Sequence, residues 1–145
     1  MSNIGHMRQI GVFEVTVGQE AVAAFAAALG KTPSAGASGT VPLTFPMFWL
    51  SDPGIHEALM PLLRRDATGA ERFPVYLEQH IQMHRPLRIG ARYVLTLALD
   101  GPDSREMVRI TLRLSDSEGR LAGVFETGLV LVPARHGEMR WARNR

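Results

Sequence analysis

The sequence predicts an α+β domain in which helices are followed by an antiparallel sheet. Two segments come first in which apolar residues recur three and four positions apart, over 22–29 and again over 55–63. From Phe73 onward the apolar period changes to two, which is the period of a strand with one buried face. Helices followed by a meander of strands favour a sheet with helix packed on one face.

The first elements are a strand and a helix. Residues 8–16 alternate loosely between apolar and polar and are predicted as a first strand or a lead-in to the helix. An amphipathic helix over 22–29 is expected to end at Gly30, because glycine is the usual residue just after a helix and Pro33 follows it. The small residues of 31–41 then predict a loop.

A central helix is predicted within residues 43–63. The stretch 42–50 is apolar almost all round, which predicts a buried helix. Asp52 followed by Pro53 is typical of an N-cap and the first helical position. Pro61 is expected to kink or end the helix because it lacks a backbone donor.

Four antiparallel strands are predicted within residues 73–132. Alternation is clearest over 93–99 and 108–114, and residues 120–132 predict a last long strand. Turn signals stand between these strands at 100–102 and at 116–119.

The length and composition suit one globular domain. The chain has 145 residues, 46% hydrophobic and 21% charged, and it has no cysteine, which excludes disulfides and thiolate chemistry. We assign residues 8–132 to the domain, 1–7 to a tag or disordered N-terminus, and 133–145 to a basic tail. The absence of a long apolar run and of a signal peptide predicts a cytoplasmic protein with no membrane partner.

The basic character of the chain is concentrated at its C-terminus. The isoelectric point is about 9.7, but the last 13 residues hold four arginines and one glutamate of a chain whose formal charge is +2. The remaining 132 residues therefore carry a formal charge of about −1. Because the domain has no general positive field, no nucleic-acid partner is expected.

The most specific motif lies within Phe73–Leu99. An Arg-Pro-Leu-x-x-Gly motif is complete at 85–90, after a Val-Pro-Leu-Thr-Phe-Pro segment at 41–46 and a Tyr-Leu-Glu-Gln segment at 76–79. With these motifs in this order, the chain from about Val15 to Val132 resembles the MaoC-like dehydratases, specifically their FAS1-like or N-terminal MaoC dehydratase domain.

This resemblance implies a hot dog fold, in which an antiparallel sheet wraps around a long central helix, and acyl-CoA or acyl-ACP thioesters as ligands. Its active relatives are (R)-specific enoyl hydratases or 3-hydroxyacyl dehydratases, in which an Asp and a His transfer protons. Backbone donors at the start of the central helix polarise the thioester carbonyl, and the corresponding segment here is 44–47.

The loop that holds the Asp/His pair in such enzymes has neither residue in this chain. It reads Gly-Lys-Thr-Pro-Ser-Ala-Gly at 30–36, with Lys31 and Ala35 in the stretch where the pair is expected. The resemblance therefore implies a non-catalytic half of a heteromeric dehydratase. Two alternatives stay open: an active hydratase or dehydratase with relocated catalytic residues, and a hot dog thioesterase that uses Asp52 or Glu57 to activate water.

Four side chains are candidates for relocated catalysis. Asp52 and His56 are four apart on one helix face, close enough to interact, although a helix cap and a surface histidine explain them more simply. His80 and His84 share a strand face with Glu78, where a solvated or dimer-facing polar surface is the simpler interpretation. No metal is expected from that set, because its atoms spread too far along an extended strand for joint ligation.

Substrate binding is assigned to aromatic residues and to the Arg-Pro-Leu turn. Arg85 and Arg88 are expected either to contact the phosphates of the carrier or to pair with a carboxylate such as Glu78. The candidate substrate-binding residues are Phe45, Phe48, Tyr76, Arg85, Arg88 and Gly90. No cofactor is implied. The expected assembly is a homodimer, or a heterodimer with a catalytic hot dog subunit, formed through the sheet edge.

Overall fold

A computed structural model of the chain describes residues 7–30 and 41–134. The expectations for 1–6, for the loop that contains Lys31 and Ala35, and for the tail from 135 onward lie outside the described residues. The elements in chain order are β1 (Arg8–Thr16), α1 (Gln19–Ala28), a 3₁₀ helix (Phe45–Ser51), α2 (Pro53–Arg64), β2 (Arg72–Met83), β3 (Arg92–Asp100), β4 (Met107–Ser115) and β5 (Leu121–Pro133).

The strands form one antiparallel sheet in the order β1-β3-β4-β5-β2. The predicted α+β class and the four antiparallel strands within 73–132 are confirmed. Residues 8–16 form a full strand that pairs with β3. Strands β1 and β2 are the two edges, so each leaves the backbone groups of its outer side without a partner strand within this sheet.

The inner face of the sheet packs against α2. Alternate residues of the three central strands are buried on this face, as the period of two requires. Helix α2 contributes the matching apolar stripe at three- and four-residue spacing. The main members of this core are Leu95, Leu97, Leu99, Ile110, Leu112, Leu114, Phe125, Leu129, Leu131, Ile55, Leu59 and Leu63.

The central helix consists of two segments that meet at Asp52. The prediction that 42–50 forms a buried helix is wrong in part. This stretch forms a 3₁₀ helix, which buries Phe45 completely but leaves Phe48 41% exposed. In a 3₁₀ helix residues three apart share a side, so Phe45 and Phe48 lie on the same side of this segment. Phe45 is covered by the rings of Phe25, Phe48 and Trp49, whereas Phe48 is the outer, partly exposed ring of that side.

Pro61 does not end the helix, so that part of the prediction that it kinks or ends the helix is wrong. Helix α2 continues through Pro61 to Arg64. The backbone donor that proline lacks would have bonded to the carbonyl of Glu57, and both residues are solvent-exposed. Water can therefore replace the missing hydrogen bond, and the last turn is held by the burial of Leu63.

Arg72 ties the C-terminus of α2 to the sheet. Its guanidinium group donates to the carbonyl of Leu63 at 2.9 Å and pairs with the Glu106 carboxylate at 3.0 Å. The side chain of Arg72 is only 10% exposed and that of Glu106 is 48% exposed, so the charge-assisted bond to Leu63 is the better shielded of the two. Within the described residues, no helix combines the length and the apolar character needed to cross a membrane.

Candidate functional site

The N-terminus of α2 is capped by its own chain. The Asp52 carboxylate accepts the backbone N–H groups of Gly54 and Ile55 at 3.1 and 3.4 Å, and the carbonyl of Asp52 accepts the N–H of His56 at 2.7 Å. The predicted N-cap is confirmed, with Pro53 at the first helical position. The side chain of His56 is exposed one turn further along.

Replacing Asp52 by alanine tests whether this carboxylate is structural. We expect Asp52→Ala to lower the free energy of unfolding by about 1 kcal/mol, because two backbone donors lose their acceptor. Asp52→Asn should retain most of the stability, since its amide oxygen can also cap the helix. Urea denaturation measures both variants, and equal stability of Asp52→Ala and the unmodified protein would contradict the capping role.

Two of the backbone donors just before α2 are already engaged. The N–H of Phe45 donates to the carbonyl of Pro42 at 3.0 Å, and the N–H of Met47 donates to the carbonyl of Thr44 at 3.0 Å. Pro46, between them, has no N–H. Around the start of the central helix, these donors and those bound by Asp52 have partners within the chain. A thioester carbonyl would have to displace one of them.

An aromatic cluster lies beside this helix start. Phe45 stacks on Phe48 with ring centroids 5.5 Å apart, and it forms T-shaped pairs with Phe25 and Trp49 at centroid distances of 5.5 and 5.4 Å. Phe45 is fully buried and Trp49 nearly so, whereas Phe48 is 41% exposed. Of the two predicted aromatic residues at this position, Phe48 therefore offers the accessible surface and Phe45 supports it from behind.

The polar candidates on β2 lie on the other side of the sheet. Glu78 and His80 have side-chain atoms 3.6 Å apart and are both more than half exposed. His80 stands opposite Glu126 in the ladder, on the outer face that alternates with buried Phe125. His84 follows the end of β2, and its backbone N–H donates to the carbonyl of Ala122 at 2.8 Å. The sheet thus lies between α2 and the side chains of Glu78 and His80.

The four candidates for relocated catalysis therefore divide into two groups. Asp52 and His56 lie at the start of α2, and His80 and His84 lie along the outer face and end of β2. Within residues 7–30 and 41–134, no three His, Asp or Glu side chains come together as a metal site requires.

The edge strand β2 exposes an apolar run. Tyr76 is 61% exposed and Leu77 is 52% exposed, and Phe73 and Val75 are each 38% exposed. The ladder with β5 shifts register between Tyr76 and Glu78, so Leu77 forms a bulge. The predicted substrate residue Tyr76 therefore lies on an unpaired sheet edge.

The Arg-Pro-Leu turn is fixed to the sheet by its backbone. The N–H of Arg85 donates to the carbonyl of Ala122 at 3.1 Å, and the N–H of Arg88 donates to the buried hydroxyl of Tyr93 at 3.0 Å. Gly90 has a φ of +89°, which favours glycine, and its N–H donates to the carbonyl of Val17 at 2.7 Å. The motif therefore fixes the position of the turn, and Gly90 allows the positive φ that the turn requires.

Two features of the site were missed at the sequence level. An open cleft lies between the Arg-Pro-Leu turn and the turn at 116–120, and Arg92, at the start of β3, lines it together with Arg85 and Arg88. The position of Arg92 just after the Gly90 turn was the available signal. The bulge at Leu77 was also missed. The bulge shifts the alternation of side chains between the two faces of β2 by one residue. No residue type in this part of the sequence is specific for a bulge.

No protein-family model and no curated protein sequence matches this chain. Solved structures do match it. A chain of the HadBC (3R-hydroxyacyl-ACP dehydratase) complex from Mycobacterium tuberculosis is 18% identical with a TM-score of 0.62, over 86% of this chain and 94% of that one. The (R)-hydratase from A. caviae involved in PHA biosynthesis is 17% identical with a TM-score of 0.59, over 90% and 98%.

A probable thioesterase from Bartonella henselae matches about equally well. It is 15% identical with a TM-score of 0.58, over 86% of this chain and 97% of that one. Similarity at this level of identity establishes the fold. The chain has the hot dog fold, as the sequence predicted.

Proposed function

We propose that this protein is a hot dog subunit that binds acyl thioesters and lacks an acid–base pair of its own. The observation that carries the proposal is the start of α2, where Asp52 and the 3₁₀ turn already use the backbone donors. A thioester carbonyl held for hydration needs free donors and a nearby proton-transfer group. Here the N–H groups of Phe45, Met47, Gly54 and Ile55 are engaged within the chain, and Asp52, the carboxylate nearest His56 in sequence, is bound as the helix cap.

The proposed acyl site is the exposed side of the aromatic cluster. Phe48 offers an accessible apolar ring beside the helix start, supported by buried Phe45. An acyl chain laid on this surface would remove apolar area from water, worth roughly 25 cal/mol per Å² buried. The matching hydratase and dehydratase structures support thioesters as the ligand class.

The binding proposal is tested by calorimetry with the purified chain. Decanoyl-CoA is expected to bind more tightly than CoA, because the acyl chain adds apolar burial. Phe48→Ala should narrow that difference, whereas Leu29→Ala, at an exposed apolar residue near the end of α1, should leave it unchanged. Equal affinity for decanoyl-CoA and CoA in the unmodified protein would refute acyl binding.

A thioesterase is the second candidate function, since thioesterases are among the matching structures. It would need a carboxylate near the thioester to activate water. Asp52 already serves as the helix cap, which leaves Glu57, exposed on α2. Release of free CoA from decanoyl-CoA, abolished by Glu57→Gln, would favour this alternative over the non-catalytic subunit.

The proposed partner is a second hot dog chain that pairs with β2. This strand is 12 residues long, lies at the sheet edge and exposes Tyr76 and Leu77 beside unpaired backbone groups. An exposed edge of this length is a template for pairing with another strand. A partner strand would bond to the free N–H and C=O groups of β2 and cover its apolar side chains. The similarity to a chain of the HadBC complex supports a partner that is a different hot dog chain. With the purified protein alone, pairing between two copies of this chain can be tested.

Sedimentation of the purified protein is expected to give a dimer at micromolar concentration. Leu77→Lys should shift it towards monomer, because a charge at the pairing edge opposes strand addition. Val12→Lys is the matched control, since Val12 is 55% exposed on the opposite edge strand, β1. A monomer in the unmodified protein, or dissociation by Val12→Lys alone, would contradict pairing through β2.

A further inference from the structure

An open cleft lies between the Arg-Pro-Leu turn and the turn that joins β4 to β5. Its volume is about 550 Å³, within the range of pockets that hold small ligands. Its charged lining residues are Arg85, Arg88, Arg92, Asp116, Glu118 and Arg120. Four arginines and two acidic residues give the cleft a formal charge of +2.

Both acidic residues of the cleft are bound to the same arginine. Arg120 Nε lies 3.2 Å from Asp116 Oδ2, and the Arg120 guanidinium group also pairs with the Glu118 carboxylate. Asp116 further accepts the backbone N–H groups of Glu118 and Arg120, each at 2.9 Å. The N–H of Arg120, above all, lowers the pKa of the Asp116 carboxyl, which keeps it ionised and in place.

The other three arginines have no such partner. Across residues 7–30 and 41–134, none of Arg85, Arg88 and Arg92 forms an ion pair with a carboxylate. All three are solvent-exposed. The alternative that Arg85 pairs with Glu78 is not realised, because Glu78 contacts His80 instead. The unneutralised positive charge of the cleft therefore lies on one wall.

The backbone that carries these arginines is held firmly. Arg85 is bonded to β5 through Ala122, and Arg88 is bonded to β3 through the hydroxyl of Tyr93. Arg92 belongs to β3 itself and pairs with Thr16 of β1. Because the three attachment points are fixed by the sheet, ligand binding orders only side chains and not a loop, which lowers the entropic cost.

We infer that this cleft binds the phosphates of coenzyme A, so that the thioester carrier is CoA and not a carrier protein. The inference rests on the proposed function. Guanidinium groups bind phosphate with paired N–H donors, and three of them match the several phosphate charges of CoA. A carrier protein presents a single phosphodiester on its pantetheine arm, which leaves most of this charge unmatched.

Calorimetry with four ligands tests the inference: CoA, 3′-dephospho-CoA, 4′-phosphopantetheine and pantetheine. For the unmodified protein we expect affinity to fall in that order. CoA should bind at least about tenfold more tightly than 4′-phosphopantetheine, because its additional phosphates form charge-assisted hydrogen bonds with the arginines. Equal affinity for CoA and 4′-phosphopantetheine would overturn the choice of CoA. Equal affinity for CoA and pantetheine would overturn the phosphate site altogether.

Substitutions locate the binding to this cleft. Arg85→Ala, Arg88→Ala and Arg92→Ala should each weaken CoA binding about tenfold and leave pantetheine binding unchanged. Arg105→Ala is the control, since Arg105 is an exposed arginine between β3 and β4 and does not line the cleft. Glu118→Gln should strengthen CoA binding, because it removes one negative charge. CoA affinity unaffected by all three arginine substitutions would refute the inference.

The same variants separate this inference from the proposed function. A triple variant combines Arg85→Ala, Arg88→Ala and Arg92→Ala. If it binds decanoyl-pantetheine as tightly as the unmodified protein does, acyl binding is supported, and its affinity for CoA alone then tests the phosphate site. If the unmodified protein binds CoA through the three arginines but gains nothing from an acyl chain, the cleft is supported and the proposed function fails. Melting temperatures confirm that each variant is folded.

Discussion

The purified chain alone will hydrate crotonyl-CoA about 10²–10⁴-fold more slowly than a hydratase that has an acid–base pair, because positioned proton transfer contributes about that much. Two independent observations support this expectation. By resemblance, Lys31 and Ala35 occupy the stretch where the pair belongs. Around the start of α2, the N–H groups of Phe45, Met47, Gly54 and Ile55 are already bonded within the chain, the last two to Asp52.

Loss of the enoyl absorbance measures this rate directly. Rapid hydration by the isolated chain would contradict the expectation, and the base would then be sought among His56, His80 and His84. Alanine at each position, tested separately, should reveal one large loss of turnover with folding intact if one of them is the base. A modest and equal loss at all three would indicate structural damage.

Truncation of Phe45 is expected to have the largest effect on stability. Phe45 is fully buried and touches the rings of Phe25, Phe48 and Trp49. Phe45→Ala removes these contacts and leaves a cavity, so it should lower the free energy of unfolding by about 3–5 kcal/mol. Because the cluster joins α1 to the 3₁₀ helix, the loss should appear as a lower midpoint in urea.

Phe48→Ala is the matched control for this substitution. It removes the same side chain from the same cluster, but Phe48 is 41% exposed, so water fills most of the vacated space. Its cost should be less than half that of Phe45→Ala. Equal costs for the two variants would mean that Phe48 is covered in the protein in solution, by a partner chain or by another segment.

The sequence identified elements whose signals are local. Strand β3 follows from the alternation at Leu95 and Leu97, and the start of α2 follows from Asp52 and Pro53, which occupy the predicted cap positions. Each of these signals depends on residues within one turn or one strand. The resemblance added the hot dog fold, which periodicity alone does not specify.

The features that were missed depend on partners distant in sequence. The placement of β1 beside β3 is set by contacts between segments about 80 residues apart. The exposure of Phe48 depends on which side of the 3₁₀ helix meets α1. The pairing of Arg120 with Asp116 and Glu118 is local, but the cleft that brings this turn opposite Arg85, Arg88 and Arg92 depends on the fold, and among the described residues these three arginines have no carboxylate partner.

The central claim is that the chain binds an acyl-CoA, with the acyl chain at the aromatic cluster and the phosphates at the Arg-Pro-Leu turn. An NMR titration with a non-hydrolysable decanoyl thioether of CoA tests it most directly. We expect backbone amide shifts at Phe45, Phe48 and the first turn of α2, and a second set over 85–92. Shifts confined to other parts of the chain, or none at saturating ligand, would contradict the claim.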